Sequence, residues 1–421
     1  MPASLKPQNV VVNGRTYGLP RRPVAVVCLD GCDPDYLAVG LAAGELPAFA
    51  RIVRDGFGGE ALSALPSFTN PNNCSLVTGV PPAVHGVSGN FYLDRRTGET
   101  VMVTGDKELR APTILAAMAM AGVPTAVVTA KDKLRAALAK GLPIGANGIA
   151  ISAQHAAAAQ EQTHGIGDVC GLVGRGEPDQ YSADLSLFVL DAGVQLLEAG
   201  RARLLYLSLS DYVQHRHAPE EPEAREFHRA VDARLGRLMD LGAVVAATAD
   251  HGMHDMARPD GTPNVIFVGD VLDAAFGAGS CRVICPITDP FVRHHGALGG
   301  FVRVHIAPGG PDARTVATHL AALPGIEQAL EGAEACRRYD LAPEMEGDVT
   351  IIAAHGVALG ARAVEHDLAG LAGERLRSHG GTAEQRVPFL VSVPPGPDWH
   401  AAHPHLRNFD ILDAALNGAA A

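Results

Sequence analysis

The chain is expected to fold as an α/β protein, a doubly wound, mostly parallel sheet with helices on both faces, carrying an inserted, smaller α+β cap. Three observations lead there. Apolar runs of strand length alternate with helical stretches from Pro23 to Ala249, the pattern of a parallel sheet built from βα units. Three of those runs end in an aspartate, Asp30, Asp211 and Asp250, and open α/β sheets bind ligands beyond the carboxyl ends of their strands. Past Gly252 the texture changes to strand-like runs with few helices between them, as an insertion would show. At 421 residues the chain exceeds one typical domain. We assign residues 1–258 and 346–421 to the core and 259–345 to the cap.

After a polar lead-in, Pro23 to Leu29 is continuously apolar, as a central strand buried on both faces requires. Pro34 to Asp55 is helical, interrupted near Pro47. The segment Pro66 to Gly79 follows, then a turn-rich loop from Gly79 to Gly86 that leads to Asn90-Phe91-Tyr92. Stretches 111–121, 131–140, 182–199 and 222–241 read as helices, and 125–129, 148–152, 203–210 and 243–249 as strands. The Ala- and Gln-rich stretch after Ser152 shows no usable period. In the cap, 265–271, 281–287 and 300–306 read as strands, with helices over 313–323 and 325–337. Residues 349–353 are expected to return to the main sheet, followed by a strand over 388–393 and a polar tail.

Composition excludes several classes. Apolar residues make up 47% of the chain, ample for a core, yet no stretch approaches the 18 or so apolar residues of a membrane span. The first residues lack a basic patch followed by an apolar run, so no signal peptide is expected. Lys plus Arg total 34 against 46 acids, a net charge of −12 that argues against binding a nucleic-acid backbone. Seven dispersed cysteines without a Cys-x-x-Cys pair suggest reduced thiols in a cytoplasmic protein. Eighteen histidines exceed what a core needs and prompt a search for metal ligands.

In the segment 66–79, Thr69 and Asn70 precede Pro71, and proline suits a first helical position. A hydroxyl at that turn would lie in the positive field of a helix N-terminus. The plain alternative is that Thr69 or Asn70 is only an N-cap. Elsewhere, Asp211 and His215 are four apart, which puts both on one face of a helix. Asp250 and His251 are adjacent at a strand end, and His379 is followed by two glycines that allow close approach. Three converging carboxylates require cations, and oxygen and imidazole donors without thiolate suit zinc, manganese or iron. His254, His294-His295 and His403-Pro404-His405 lack partners at ligand spacing and are expected at the surface. Gly299-Gly300 and Pro308-Gly309-Gly310 are expected to be turns.

Taken together, Asp30, Thr69, Asp211-x-x-x-His215, Asp250-His251-Gly252 and His379-Gly380 resemble the two-metal site of the alkaline phosphatase superfamily, in its nucleotide pyrophosphatase/phosphodiesterase branch. The resemblance extends to the phosphonoacetate-hydrolysing members, through the segment 67–73, Gly89-Asn90-Phe91-Tyr92 and Thr129-Ala130-Lys131-Asp132-Lys133. It implies an alkaline-phosphatase-like core and two Zn2+ per chain, with Mn2+ or Fe2+ as substitutes. Asp211, His215 and His379 would hold one zinc, and Asp30, Asp250 and His251 the other, with Thr69 beside it as nucleophile. Asn90 would hold a phosphoryl oxygen, and Lys131 and Lys133 the substrate carboxylate.

The expected reaction is hydrolysis of the phosphorus–carbon bond of phosphonoacetate through a phosphothreonine. The alternatives are a phosphodiesterase or nucleotide pyrophosphatase on the same scaffold, needing a slot such as Phe91 and Tyr92 for a base, or a metal-stabilised binding protein without turnover. The expected partner is a small phosphonate, not nucleic acid or membrane, and a homodimer is admissible.

Overall fold

The computed structural model describes residues 9–289, 296–368, 371 and 374–418. A central seven-stranded sheet runs in the spatial order Phe57–Leu62, Arg386–Val391, Val244–Thr248, Val24–Cys28, Leu204–Ser208, Thr125–Thr129, Gly148–Ser152. The last five are parallel, whereas Arg386–Val391 runs antiparallel to both its neighbours. All five parallel strands are buried along their whole length, which fits their being made mostly of Val, Ala, Leu and Ile.

Helices cover both faces, as expected. Pro222–Asp240 packs with Asp184–Glu198, Pro47–Asp55 and Pro34–Ala42 on one side. On the other lie Thr69–Thr78, Ile114–Met120 and Asp132–Leu138, with the C-terminal turns. The proline at 47 does start a separate helix. The tail is not simply polar, because Phe409, Ile411 and Leu412 are buried against the core.

A second, four-stranded antiparallel sheet has the order Cys281–Ile284, Phe301–Ile306, Val349–Ala353, Ile326–Glu331. Three expectations fail here. Val349–Ala353 joins this sheet, not the main one, because its Val, Ile and Ile side chains complete the core around Phe301, Val302 and Val304. We therefore propose that the inserted unit extends past residue 345. The strand expected over 265–271 stops at Phe267, and Val268–Phe276 is a helix that buries Val268 and Leu272. The helix expected over 325–337 divides into the strand Ile326–Glu331 and the helix Gly332–Tyr339. A short hydrophobic run does not distinguish a strand from a helical turn.

The two cores meet at the Thr69 segment. Phe68 is fully buried within the second core and packs edge-on against Phe301, with ring centroids 6.3 Å apart. Among the described residues no single helix is long and apolar enough to cross a membrane.

Candidate active site

Strand register gathers the site. In the parallel sheet Cys28 is level with Ser208 and Thr248, and Ser208 with Thr129. The chains therefore leave the sheet together, delivering Asp30, Asp211, Asp250 and Lys131 to one edge. Two clusters result, each with donor atoms within 4.8 Å of one another: Asp211, His215 and His379, and Asp30, Asp250 and His251. All six residues are buried. The clusters are adjacent, since the rings of His251 and His379 stack at 3.5 Å with 6° between their planes.

Each imidazole is oriented from behind. Nδ1 of His215, His251 and His379 lies 2.8, 2.9 and 2.8 Å from the carbonyl oxygens of Arg377, Gly252 and Ser67. A carbonyl only accepts, so Nδ1 donates to it, and Nε2 is the nitrogen left facing the site. That nitrogen faces carboxylates: His215 Nε2 is 3.1 Å from Asp211 Oδ2, and His251 Nε2 is 3.4 Å from Asp30 Oδ1. A proton on Nε2 satisfies such a contact in the metal-free protein, and a metal cation could take that proton's place.

The carboxylates point the same way. Both Asp30 oxygens are buried without a hydrogen-bond partner among the described residues. Burial, reinforced by Asp211 and Asp250, pushes the Asp30 carboxyl well above its ordinary pKa. Burial would also raise Asp211, but Lys131 and His215 outweigh it and hold that carboxyl well below its usual range. Burial, with His251 and His215 nearby, keeps His379 well below its ordinary pKa and so neutral, the form that can coordinate. The donor set, its orientation and the orphaned Asp30 oxygens fit two divalent cations.

The helix Thr69–Thr78 is buried throughout and brings the hydroxyl to this edge. It begins one residue earlier than a cap at Thr69 would require. Phe68 takes the cap position, without a side-chain cap bond, and Pro71 is third in the helix rather than first. Thr69 Oγ1 thus sits in the first turn, 3.4 Å from His251 Nε2. The backbone N–H of Asn70 donates to Asn90 Oδ1 at 3.3 Å, and Asn90 Nδ2 donates to the Ile287 carbonyl at 3.3 Å.

Asn73 was not singled out from the sequence, although it lies in the quoted segment. Its Nδ2 donates to Asp250 Oδ2 and to the Thr69 carbonyl, both at 3.1 Å, while its Oδ1 accepts from Tyr206 and Ser208. An Asn in a wholly buried helix carries amide groups that must find such partners. At Gly380, φ is +130° and a Cβ would lie 2.4 Å from the Phe68 ring, so glycine is required beside His379.

The lysines occupy different positions. Lys131 reaches the ligand carboxylates themselves, its Nζ donating to Asp211 at 2.8 Å and lying 3.8 Å from Asp30. Burial works against its charge, yet Asp211, Asp30 and Asp289 raise its pKa above the ordinary value. Lys133 Nζ pairs with Asp289 Oδ2 at 2.7 Å, with both side chains largely buried. Asp289 had no signal in the sequence beyond being an aspartate.

Other expectations change. His254 is half-buried and has partners after all, Glu384 and Asp33. His403 is half-buried, stacked on Trp399 at 4.2 Å, whereas His405 is exposed; His294 and His295 lie outside the described residues. Gly299-Gly300 is a close approach rather than a plain turn, with Gly300 N–H donating to the His379 carbonyl at 2.9 Å. A Cβ on Gly299 would lie 2.6 Å from that same oxygen.

A sheet edge with two oxygen/imidazole clusters beside a helix-borne hydroxyl is the arrangement that a metal-dependent phosphoryl-transfer site would need. The family model of type I phosphodiesterase / nucleotide pyrophosphatase matches residues 24–319, and the chain belongs to that family. Among solved structures, the chain is similar to phosphonoacetate hydrolase from Sinorhizobium meliloti 1021, seen in complex with phosphonoformate and with phosphonoacetate. Each shows 46% identity and a TM-score of 0.92, covering 98% of this chain and 99% of that one. Murine ectonucleotide pyrophosphatase / phosphodiesterase 5, in complex with AMP, shares the fold at 16% identity, with a TM-score of 0.62 and 93% of each chain covered. An uncharacterized pyrophosphatase/phosphodiesterase of Schizosaccharomyces pombe is 37% identical over 76 residues, and the match spans 18% of this chain and 15% of that protein's length.

Proposed function

We propose that this chain hydrolyses phosphonoacetate to acetate and phosphate, with two zinc ions and Thr69 as nucleophile. The observation that carries the reading is the 46% identity, over nearly the whole of both chains, to a phosphonoacetate hydrolase seen with phosphonoacetate. The site geometry supports it. Asp211, His215 and His379 would hold one cation and Asp30, Asp250 and His251 the other, with manganese or iron able to substitute. When bound, the cations lower the pKa of a hydroxyl beside them and neutralise phosphoryl charge.

Thr69 Oγ1, in the first turn of its helix, gives up its proton to solvent and attacks phosphorus in line. The P–C bond breaks, and its electron pair passes into the carboxylate as an enediolate. Lys131 and Lys133 would face that growing charge, binding the transition state better than the substrate. A solvent proton converts the enediolate to acetate. Water then attacks the phosphothreonine, releasing phosphate and restoring the Thr69 hydroxyl. Asn90, tied to the Asn70 N–H and the Ile287 carbonyl, is placed to hold a phosphoryl oxygen.

A nucleotide substrate is less well supported. Tyr92 is half-buried, with part of its ring packed against the small cluster of Cys74, Val87, Val103, Leu109 and Met345, which leaves less of it for a base, although Phe91 is half-exposed as well. A cytoplasmic location belongs to the same proposal, supported by the seven free cysteines. The test is phosphate release from phosphonoacetate, phosphonopyruvate, 2-aminoethylphosphonate and a nitrophenyl phosphodiester. Phosphonoacetate should give the highest kcat/KM; preference for the diester would overturn the proposal.

A further inference from the structure

Behind the ligand-bearing loops stands a charged cluster with no part in the chemistry above. His254 Nδ1 lies 2.9 Å from Glu384 Oε1, and its Nε2 3.5 Å from Asp33 Oδ2. Each member follows a candidate ligand closely: Asp33 by three residues (33 − 30), His254 by three (254 − 251) and Glu384 by five (384 − 379). The loops of both clusters are therefore joined through one imidazole.

Other bonds tighten the junction. The second Glu384 oxygen accepts from Gly381 N–H at 2.9 Å, and its backbone carbonyl accepts from Gly252 N–H at 2.7 Å. His254 pairs in a short antiparallel ladder with Ser378, the residue before His379. A Cβ on Gly252 would come 2.7 Å from Asp33 Oδ2, so the loops touch. Glu384 is 1% exposed and Asp33 7%, which makes an unpaired carboxylate at either position costly.

The loops need such a tie. Asp30, His251 and His379 are each followed directly by glycine, which permits close approach but leaves the backbone with little stiffness of its own. Yet His251 and His379 must keep their rings stacked across the boundary between the two clusters. We propose that His254 is a positioning residue that fixes the two metal-ligand clusters relative to one another by fastening Asp33 and Glu384. This rests on the two-metal reading above, but not on the choice of substrate.

The test measures zinc affinity by competition with a chromophoric chelator, alongside kcat and KM. His254→Ala should lose up to about tenfold in zinc affinity, the low end of what removing a direct partner of a metal ligand costs, because His254 acts one contact further out. Its kcat should fall with little change in KM, and His254→Gln, which keeps one donor, should recover part of both. Glu384→Gln should lose zinc affinity too, and the double variant His254→Ala/Glu384→Gln should lose little more than His254→Ala alone, because one contact is removed. Should the alanine variant fail to fold, the two glutamine variants decide: several-fold weaker zinc binding is expected of each. Variants that bind zinc as tightly as wild type, showing only a lower melting temperature, would overturn the proposal, as would additive losses in the double variant. A wild type that binds no zinc would overturn this proposal together with the two-metal reading. One that binds zinc but leaves phosphonoacetate intact would overturn the substrate alone.

Discussion

Lys131→Met removes one ammonium and keeps the apolar stem. In the structure that ammonium lies 2.8 Å from Asp211 and 3.8 Å from Asp30, with the side chain 9% exposed. Removing one partner of a buried ion pair costs about 3–5 kcal/mol, because the remaining charge is left uncompensated. Chelated protein should lose about that much stability in a denaturant titration. Zinc-loaded protein should lose several-fold less, since the bound cations then neutralise Asp211 and Asp30. Catalysis gives the second reading. If Lys131 faces the enediolate, kcat/KM for phosphonoacetate should fall at least tenfold, or about 1.4 kcal/mol. A nitrophenyl phosphoester, whose leaving group needs no such help, should lose much less. Equal losses on both substrates would refute the reasoning and assign Lys131 to general phosphate binding or to folding.

Other outcomes follow from the same geometry. Thr69→Ala should leave the circular dichroism spectrum and metal content nearly unchanged while lowering turnover by several orders of magnitude, and Thr69→Ser should retain part of it; a near-normal alanine variant would mean that water attacks directly. Chelation should abolish activity, and His379→Ala should weaken one zinc more than the other in a stoichiometric titration, with equal weakening counting against two separate clusters. Acid should destabilise the chelated protein. Burial holds His85 down at about 3 and His228 at about 4, so each is neutral in the fold. Their contribution is fully present above the unfolded value of about 6.5 and is lost as pH falls through that window toward the folded values, at about 1.4 kcal/mol per pH unit for each. A slope between pH 6 and 5 that does not shrink in His85→Gln would place the proton uptake elsewhere.

The core was legible because its physics is local. Apolar runs such as 24–28 and 244–248, alternating with helical stretches, read as buried strands, and once the sheet is taken as open α/β the aspartates ending them mark its binding edge. The cap was less so. The run 265–271 changes from strand to helix at Val268, and 349–353 joins the nearer apolar face rather than the larger sheet, choices made by packing partners distant in sequence. The hairpin strands Phe91–Asp94 and Glu99–Met102 and the sheet strand Phe57–Leu62 went unread, the last because two glycines and half-exposed positions blur its alternation. At the site, residue types that carry chemistry stood out, whereas those that hold them did not. Asn73, Glu384 and the carbonyls of Ser67, Gly252 and Arg377 act through contacts made only on folding.

The central claim is that this sheet edge breaks a phosphorus–carbon bond through Thr69. Zinc-loaded protein incubated with phosphonoacetate can be followed by phosphorus and proton NMR. Wild type should convert the phosphonate resonance to inorganic phosphate with an equal amount of acetate, and Thr69→Ala should leave it intact. An unchanged phosphonate signal from wild type, under conditions where the same sample hydrolyses a nitrophenyl phosphodiester, would contradict the account.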